Sequence, residues 1–289
     1  MISAFVASWA LFHNTYLAGM LLAVLLAMVG CVVVARDQIF IGAAVSQASM
    51  LGIAVAMWAT AALSESSCGV CEGDAFLTLS GVVCAVMGAL VSGGGRPAAG
   101  RESREAVTGW VFLVGASVSV LLLSRSPHGL EEVHRLMAST VIGATRGEVA
   151  LLGVLVVVSL AVLAARFPAI LLTVMDPEMA AAVGVPVRGW GAAMSVWLGL
   201  TVGFSIRVGG VIYAFGCLVL PALVAKNLCR EVRTVFVLAP LLALGTSTVA
   251  FVLANAYDLP PGQLAAALLA GQLLAAWGLA PLRARGHRR

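Results

Sequence analysis

Several groups of residues have types and spacings that could do chemistry. Cys68 and Cys71 form a C-x-x-C pair with Glu72 and Asp74 close by. Two thiols at that spacing bind a soft metal or form a redox pair; outside the cytoplasm the same pair reads as a disulfide. His128 and His134 accompany Glu131 and Glu132, which reads either as a cation-receiving cluster or as a solvated loop. Ser46, Gln47 and Ser49 interrupt an apolar run. Polar side chains in lipid face a bundle interior or water path, or tie helices together. Ser46, Ser49 and Ile53 share a helix face, with Gln47 beside it.

A further group is Asp176-Pro177-Glu178, followed by Ala180 and then Gly184-Val185. Asp before Pro at the first helical position predicts an N-cap. Glu178 falls in the first turn, where the helix dipole favours an anion, and Gly184 stops the helix. The segment is predicted to be a short capped helix, either a plain connection or a docking element for a cytoplasmic partner.

Motifs for covalent chemistry are missing. Gly95 to Arg101 reads G-x-x-x-x-G-R followed by Glu102, without the lysine and hydroxyl that a phosphate-binding loop requires. Neither H-E-x-x-H nor G-x-S-x-G occurs. The chain is therefore expected to be no enzyme and to hold no cofactor of its own. Any energy source must come from outside it.

The elements that position these residues follow from composition. The 289 residues are 61% hydrophobic and 10% charged, whereas soluble domains carry about 25% charged residues. Lipid must be the solvent for much of the chain. The net charge of +4 is spread in short clusters between apolar runs, a topology signal and not the basic face of a nucleic-acid binder. Apolar runs fall near 16–35, 39–63, 75–92, 106–124, 148–166, 189–206, 209–225, 235–256 and 262–280. The expected fold is all-α, a polytopic transmembrane bundle of about nine spans, within a range of roughly eight to ten. Only Ile206 to Gly210 separates the sixth and seventh runs, so that pair also reads as one broken helix. Arg36, the cluster Arg96, Arg101 and Arg104, the pair Arg166 and Arg188, the cluster Lys226, Arg230 and Arg233, and the C-terminal arginines fall on one side of nine spans. The positive-inside rule then predicts an outer N-terminus and a cytoplasmic C-terminus.

Four stretches in order carry a resemblance. They are Gly42 to Gly52, then Asp176 with Glu178, Ala180, Gly184 and Val185, then Val208 to Ala222, then Tyr257 to Gly262. Together they make the chain, from about residue 17 to 280, resemble the permease family of ABC importers for zinc, manganese and iron. That resemblance implies one transmembrane permease domain over 1–289 in the cell membrane, with a cytoplasmic coupling helix near 176–185. Asp176, Glu178, Ala180 and Gly184 would serve the coupling. It implies a separate cytoplasmic ABC ATPase, an extracytoplasmic solute-binding protein, a second copy of the chain as homodimer partner, and a transported metal ion, zinc or manganese with iron as third candidate. The family pattern places an Asp at Ala43 and a His at Gln47, so Ala43, Ser46, Gln47 and Ser49 are the candidate pathway positions. Cys68 and Cys71 are the candidate metal ligands. A second family Gly-Asp falls on Ser139-Thr140. The rivals are an ion-gradient-driven transporter, which would need acidic relays inside the spans, and a transporter-like subunit that no longer carries metal.

Overall fold

The computed structural model describes residues 2–63, 74–93, 103–124 and 144–286, and every regular element among them is helical. In order they are α1 (Ile2–Ala35), α2 (Ile41–Leu63), α3 (Asp74–Gly93), α4 (Arg104–Leu123), α5 (Arg146–Met175), α6 (Pro177–Ala182), α7 (Val187–Leu228), α8 (Val232–Tyr257) and α9 (Pro261–Gly286). Helices close all their backbone hydrogen bonds internally, which is what a segment in hydrocarbon requires.

Their ends carry local signals. Ser103 caps α4 by accepting the Ala106 N–H at 3.1 Å. Thr145 and Glu148 form a reciprocal capping box at the start of α5, with Thr145 N–H to Glu148 Oε2 at 2.7 Å and Glu148 N–H to Thr145 Oγ1 at 3.3 Å. Asp258 closes α8 in the left-handed region, and α9 begins at Pro261, a favoured first helical residue.

Seven described helices are long and apolar enough to cross a bilayer. Helix α7 has 42 residues and leaves helical geometry at Gly210 (φ 76°, ψ 170°), so the two helical stretches on either side of that break supply the sixth and seventh runs. With α9 on the last run, about nine crossings result. The fifth run ends where expected, at Arg166, and beyond that break a second helical stretch carries α5 on to Met175. Arg166 leaves helical geometry at φ −121°, ψ 16°, and Pro168 stands in the helix just beyond. Proline ends one helical stretch by withholding its N–H, yet suits the first turn of the next, and the apolar residues that follow sustain that second stretch.

The chain divides into two compact units. One holds residues 35–137 and 162–207. In it α2 packs against α3 and α4 at close range. Ser80 Oγ donates to the Gly52 carbonyl at 2.7 Å, Ala44 and Ala48 pack on Val111, and Phe40 meets Phe112 at 5.2 Å between centroids. Small residues at these crossings let backbones approach. The other unit holds residues 1–34, 138–161 and 208–289. Its core includes Leu22, Leu25, Leu26, Met28, Tyr213, Leu218 and Phe251, all fully buried.

Candidate functional site

The short helix α6 and an accessible stripe of α2 hold the residues singled out by type and spacing. Helix α6 has six residues, too few to be stable alone, because nucleation is costly and caps must satisfy its ends. Asp176 supplies the N-terminal cap, its Oδ1 accepting the Met179 N–H at 2.9 Å. Pro177 occupies the first turn and Glu178 places an acid there. At the other end, Val185 N–H reaches the Ala180 carbonyl at 2.9 Å and Gly184 N–H the Ala181 carbonyl at 3.1 Å. This pair of bonds is a Schellman motif. It needs a left-handed residue, and Gly184 has φ +87°. Helix and caps together occupy residues 176–185.

Ala180 is fully buried and anchors the helix, while Asp176, Pro177, Glu178 and Gly184 are exposed. Met175, Met179 and Val183 are 57%, 53% and 64% exposed. Met179 and Val183, four residues apart, share one side of α6, and Met175 ends α5 just before the non-helical Asp176 cap. An apolar stripe beside two carboxylates is a surface suited to another protein, and methionine adapts readily to a partner's contour.

On α2 the four predicted pathway positions separate. Ala43 and Gln47 are partly accessible, continuing a stripe through Leu51 to the exposed Val55. Ser46 and Ser49 are buried. Ser46 Oγ donates to the Gly42 carbonyl at 2.8 Å. Ser49 Oγ has no hydrogen-bond partner among the described residues and lies in the α2–α3 contact beside Gly81. The cause is packing: one flank of α2 is covered by α3, and α4 approaches so closely that a Cβ on Gly115 would stand 2.7 Å from the Gln47 carbonyl carbon. Only the remaining flank is open.

Among the described residues no group of three or more His, Cys, Asp or Glu side chains could hold a metal ion. Cys68, Cys71, His128, His134, Glu131, Glu132, Ser139 and Thr140 lie outside the described residues. Cys31, Cys84, Cys217 and Cys229 are free thiols, and Cys31 Sγ points to the Val235 carbonyl at 3.8 Å. Arg36, just past α1, donates to Met194 Sδ at 2.9 Å. Burial and, secondarily, the charge of Arg104 lower its pKa.

A further polar centre lies inside the span of α7. Tyr213 is fully buried, and its hydroxyl donates to the Gly19 carbonyl at 2.7 Å and lies 3.1 Å from Ser247 Oγ. A single tyrosine in an apolar run gives no periodic signal, and its partners stand 194 and 34 positions away. Between α8 and α9, Thr246 Oγ1 accepts from Gln272 Nε2 at 2.8 Å.

Residues 8–279 match the ABC 3 transport family. The chain is similar to a protein of Treponema pallidum (strain Nichols) described as "Probable metal transport system membrane protein", 24% identical over 223 residues, covering 76% of this chain and 77% of that one. It is similar to the "Chelated iron transport system membrane protein YfeD" of Yersinia pestis, 25% identical over 231 residues, covering 80% and 72%. Among solved structures it resembles a chain of "PsaBC from Streptococcus pneumoniae in complex with Fab", with a TM-score of 0.79 at 17% identity over 97% of each chain; at that identity the likeness is one of fold.

Proposed function

The chain belongs to the ABC 3 transport family, whose match spans residues 8–279, and from that membership we propose that it is the permease subunit that imports a divalent transition metal ion, zinc or manganese with iron as third candidate. The chain is a multi-pass membrane transport subunit and not itself catalytic. Energy comes from a separate cytoplasmic ATPase, to which α6 docks. A solute-binding protein delivers the cargo outside, and two copies of the chain enclose the path in the cell membrane, with the N-terminus outside and the C-terminus in the cytoplasm. The names of the Treponema and Yersinia relatives support a metal cargo. The distribution of arginines among the loops supports the orientation.

The single observation that carries the coupling part is the doubly capped helix α6, with Met179 and Val183 exposed on one side. A six-residue helix fixed at both ends moves as a block. Force applied to its apolar stripe is transmitted to the start of α7 through Val185 and Pro186. Hydrogen exchange tests this. The amides of residues 178–185 should exchange more slowly when the ATPase subunit binds. Unchanged exchange in an assembled complex would remove α6 from the interface.

The α2 stripe favours a second reading for the cargo. Divalent metals take carboxylate or imidazole ligands, whereas Ala43 and Gln47 offer only a methyl group and a neutral amide. A subunit that retains the transporter fold without moving metal would show the same stripe. The gradient-driven rival has less support, since no Asp or Glu lies in the interior of the described spans.

A further inference from the structure

The two halves of α7 are each held tightly, and they belong to different compact units. Residues 187–207 belong to one compact unit and residues 208–228 to the other. In the first half, a Cβ on Gly199 would stand 2.5 Å from Val86 Cα, and one on Gly203 would stand 2.8 Å from Val82 Cα. Gly93 of α3 likewise abuts Ser195 Oγ. Backbone-to-backbone contact of this kind fixes that half to α3. In the second half, Gly30 of α1 lies directly against the Leu218 carbonyl, and Gly216 faces Ala266 of α9. Tyr213 adds hydroxyl contacts to α1 at Gly19 and to α8 at Ser247. This half is fixed to three helices.

Between the halves lies Gly210 at φ 76°, ψ 170°, a region open essentially to glycine alone. Gly209 precedes it, so two adjacent residues without side chains supply four soft dihedrals. Gly209 rests on the Tyr213 ring, where a Cβ would stand 2.7 Å from Cδ1. The other described helix that passes between the units, α5, repeats the pattern: the unit boundary follows Ala161 and the backbone breaks at Arg166.

We propose that Gly209–Gly210 is a pivot about which the two halves of α7 change their mutual angle, with Tyr213 pinning the C-terminal half one turn beyond it. Discrete elements that rotate about a few dihedrals are the usual form of hinge motion in proteins. The ATP-dependent part of the test rests on the permease reading, and the part on the chain alone does not.

Genetically encoded spin labels at Ala193 and Ile212 bracket the break, and labels at Ile212 and Asn227 lie within one half; all three positions are exposed. Distances would be measured by pulsed electron resonance on the full chain in nanodiscs, alone and with its ATPase, without nucleotide and with ATP. The expected result is a cross-break distance that moves by roughly 5 Å or more on ATP binding, while the Ile212–Asn227 distance stays fixed. Gly210→Ala should collapse the cross-break distribution to one state. A cross-break distance as fixed as the internal one, in a complex that hydrolyses ATP and accumulates cargo, overturns the pivot and leaves the permease reading intact. If no ATPase associates, the permease reading fails. The pivot then stands on a cross-break distribution in the chain alone that is broader than the internal one, and falls if the two are equally narrow.

Discussion

Asp176, Gly184 and Tyr213 each carry a contact that one substitution removes. Asp176→Ala deletes the side-chain cap of α6, a loss of about 1 kcal/mol. Amides of residues 178–183 should then exchange roughly fivefold faster, while the global melting temperature barely moves. Gly184→Ala forces a left-handed conformation on a residue with a Cβ, costing about 1–2 kcal/mol. It should give the same local signature from the other end of the helix. Tyr213→Phe differs in kind, because it removes the hydroxyl that ties α7 to the Gly19 carbonyl of α1. A loss of roughly 0.5–1.5 kcal/mol should lower the melting temperature of the whole protein in detergent. At this scale the sequence was informative for α6, since its caps depend on neighbours within nine positions. It was silent on Tyr213, whose partners come from distant helices. The residues around Ser46 and Ser49 show the same limit. Spacing placed them on one face, but only the approach of α3 shows that this face is covered.

Helix α4 offers a paired test of how the elements meet. Gly115 lies against the α2 backbone at Gln47, whereas a Cβ on Gly109 would meet nothing within 4 Å. Gly115→Ala should therefore lower the melting temperature by several degrees through overpacking, commonly about 1–3 kcal/mol. Gly109→Ala should be neutral or stabilising, since alanine favours helix by about 1 kcal/mol over glycine. Equal effects would contradict the close α2–α4 crossing. For α6, Met179→Asp puts a charge on the apolar stripe. If the stripe seats the ATPase, co-purification should fall roughly tenfold or more, equivalent to about 1.4 kcal/mol, with the fold unchanged. Helix existence was legible because hydrophobic runs of span length have few alternatives in lipid. The join in α7 was legible only as a choice between a loop and a break, and the course of α5 past Arg166 was not. A charged residue followed by Pro168 looks like a span end in sequence, yet it can equally restart a helix when apolar residues follow.

For the molecule as a whole, family membership and fold agree with the all-α, roughly nine-span bundle that composition demanded. What composition leaves open is the cargo, because selectivity depends on a few side chains in space. Two of the candidate pathway positions, Ala43 and Gln47, are on the open flank of α2 without acidic or imidazole groups. The orientation is tested by reporter fusions: a fluorescent protein that matures only in the cytoplasm should glow at the C-terminus and not at the N-terminus. The central claim, ATP-driven metal import, is tested most directly in proteoliposomes containing the chain, its ATPase and its binding protein. Radioactive zinc and manganese would be supplied separately, with and without ATP. The account predicts ATP-dependent accumulation of one of them, abolished by the double substitution Asp176→Ala and Glu178→Ala. No accumulation of either metal, from a complex that still assembles and hydrolyses ATP, would contradict it.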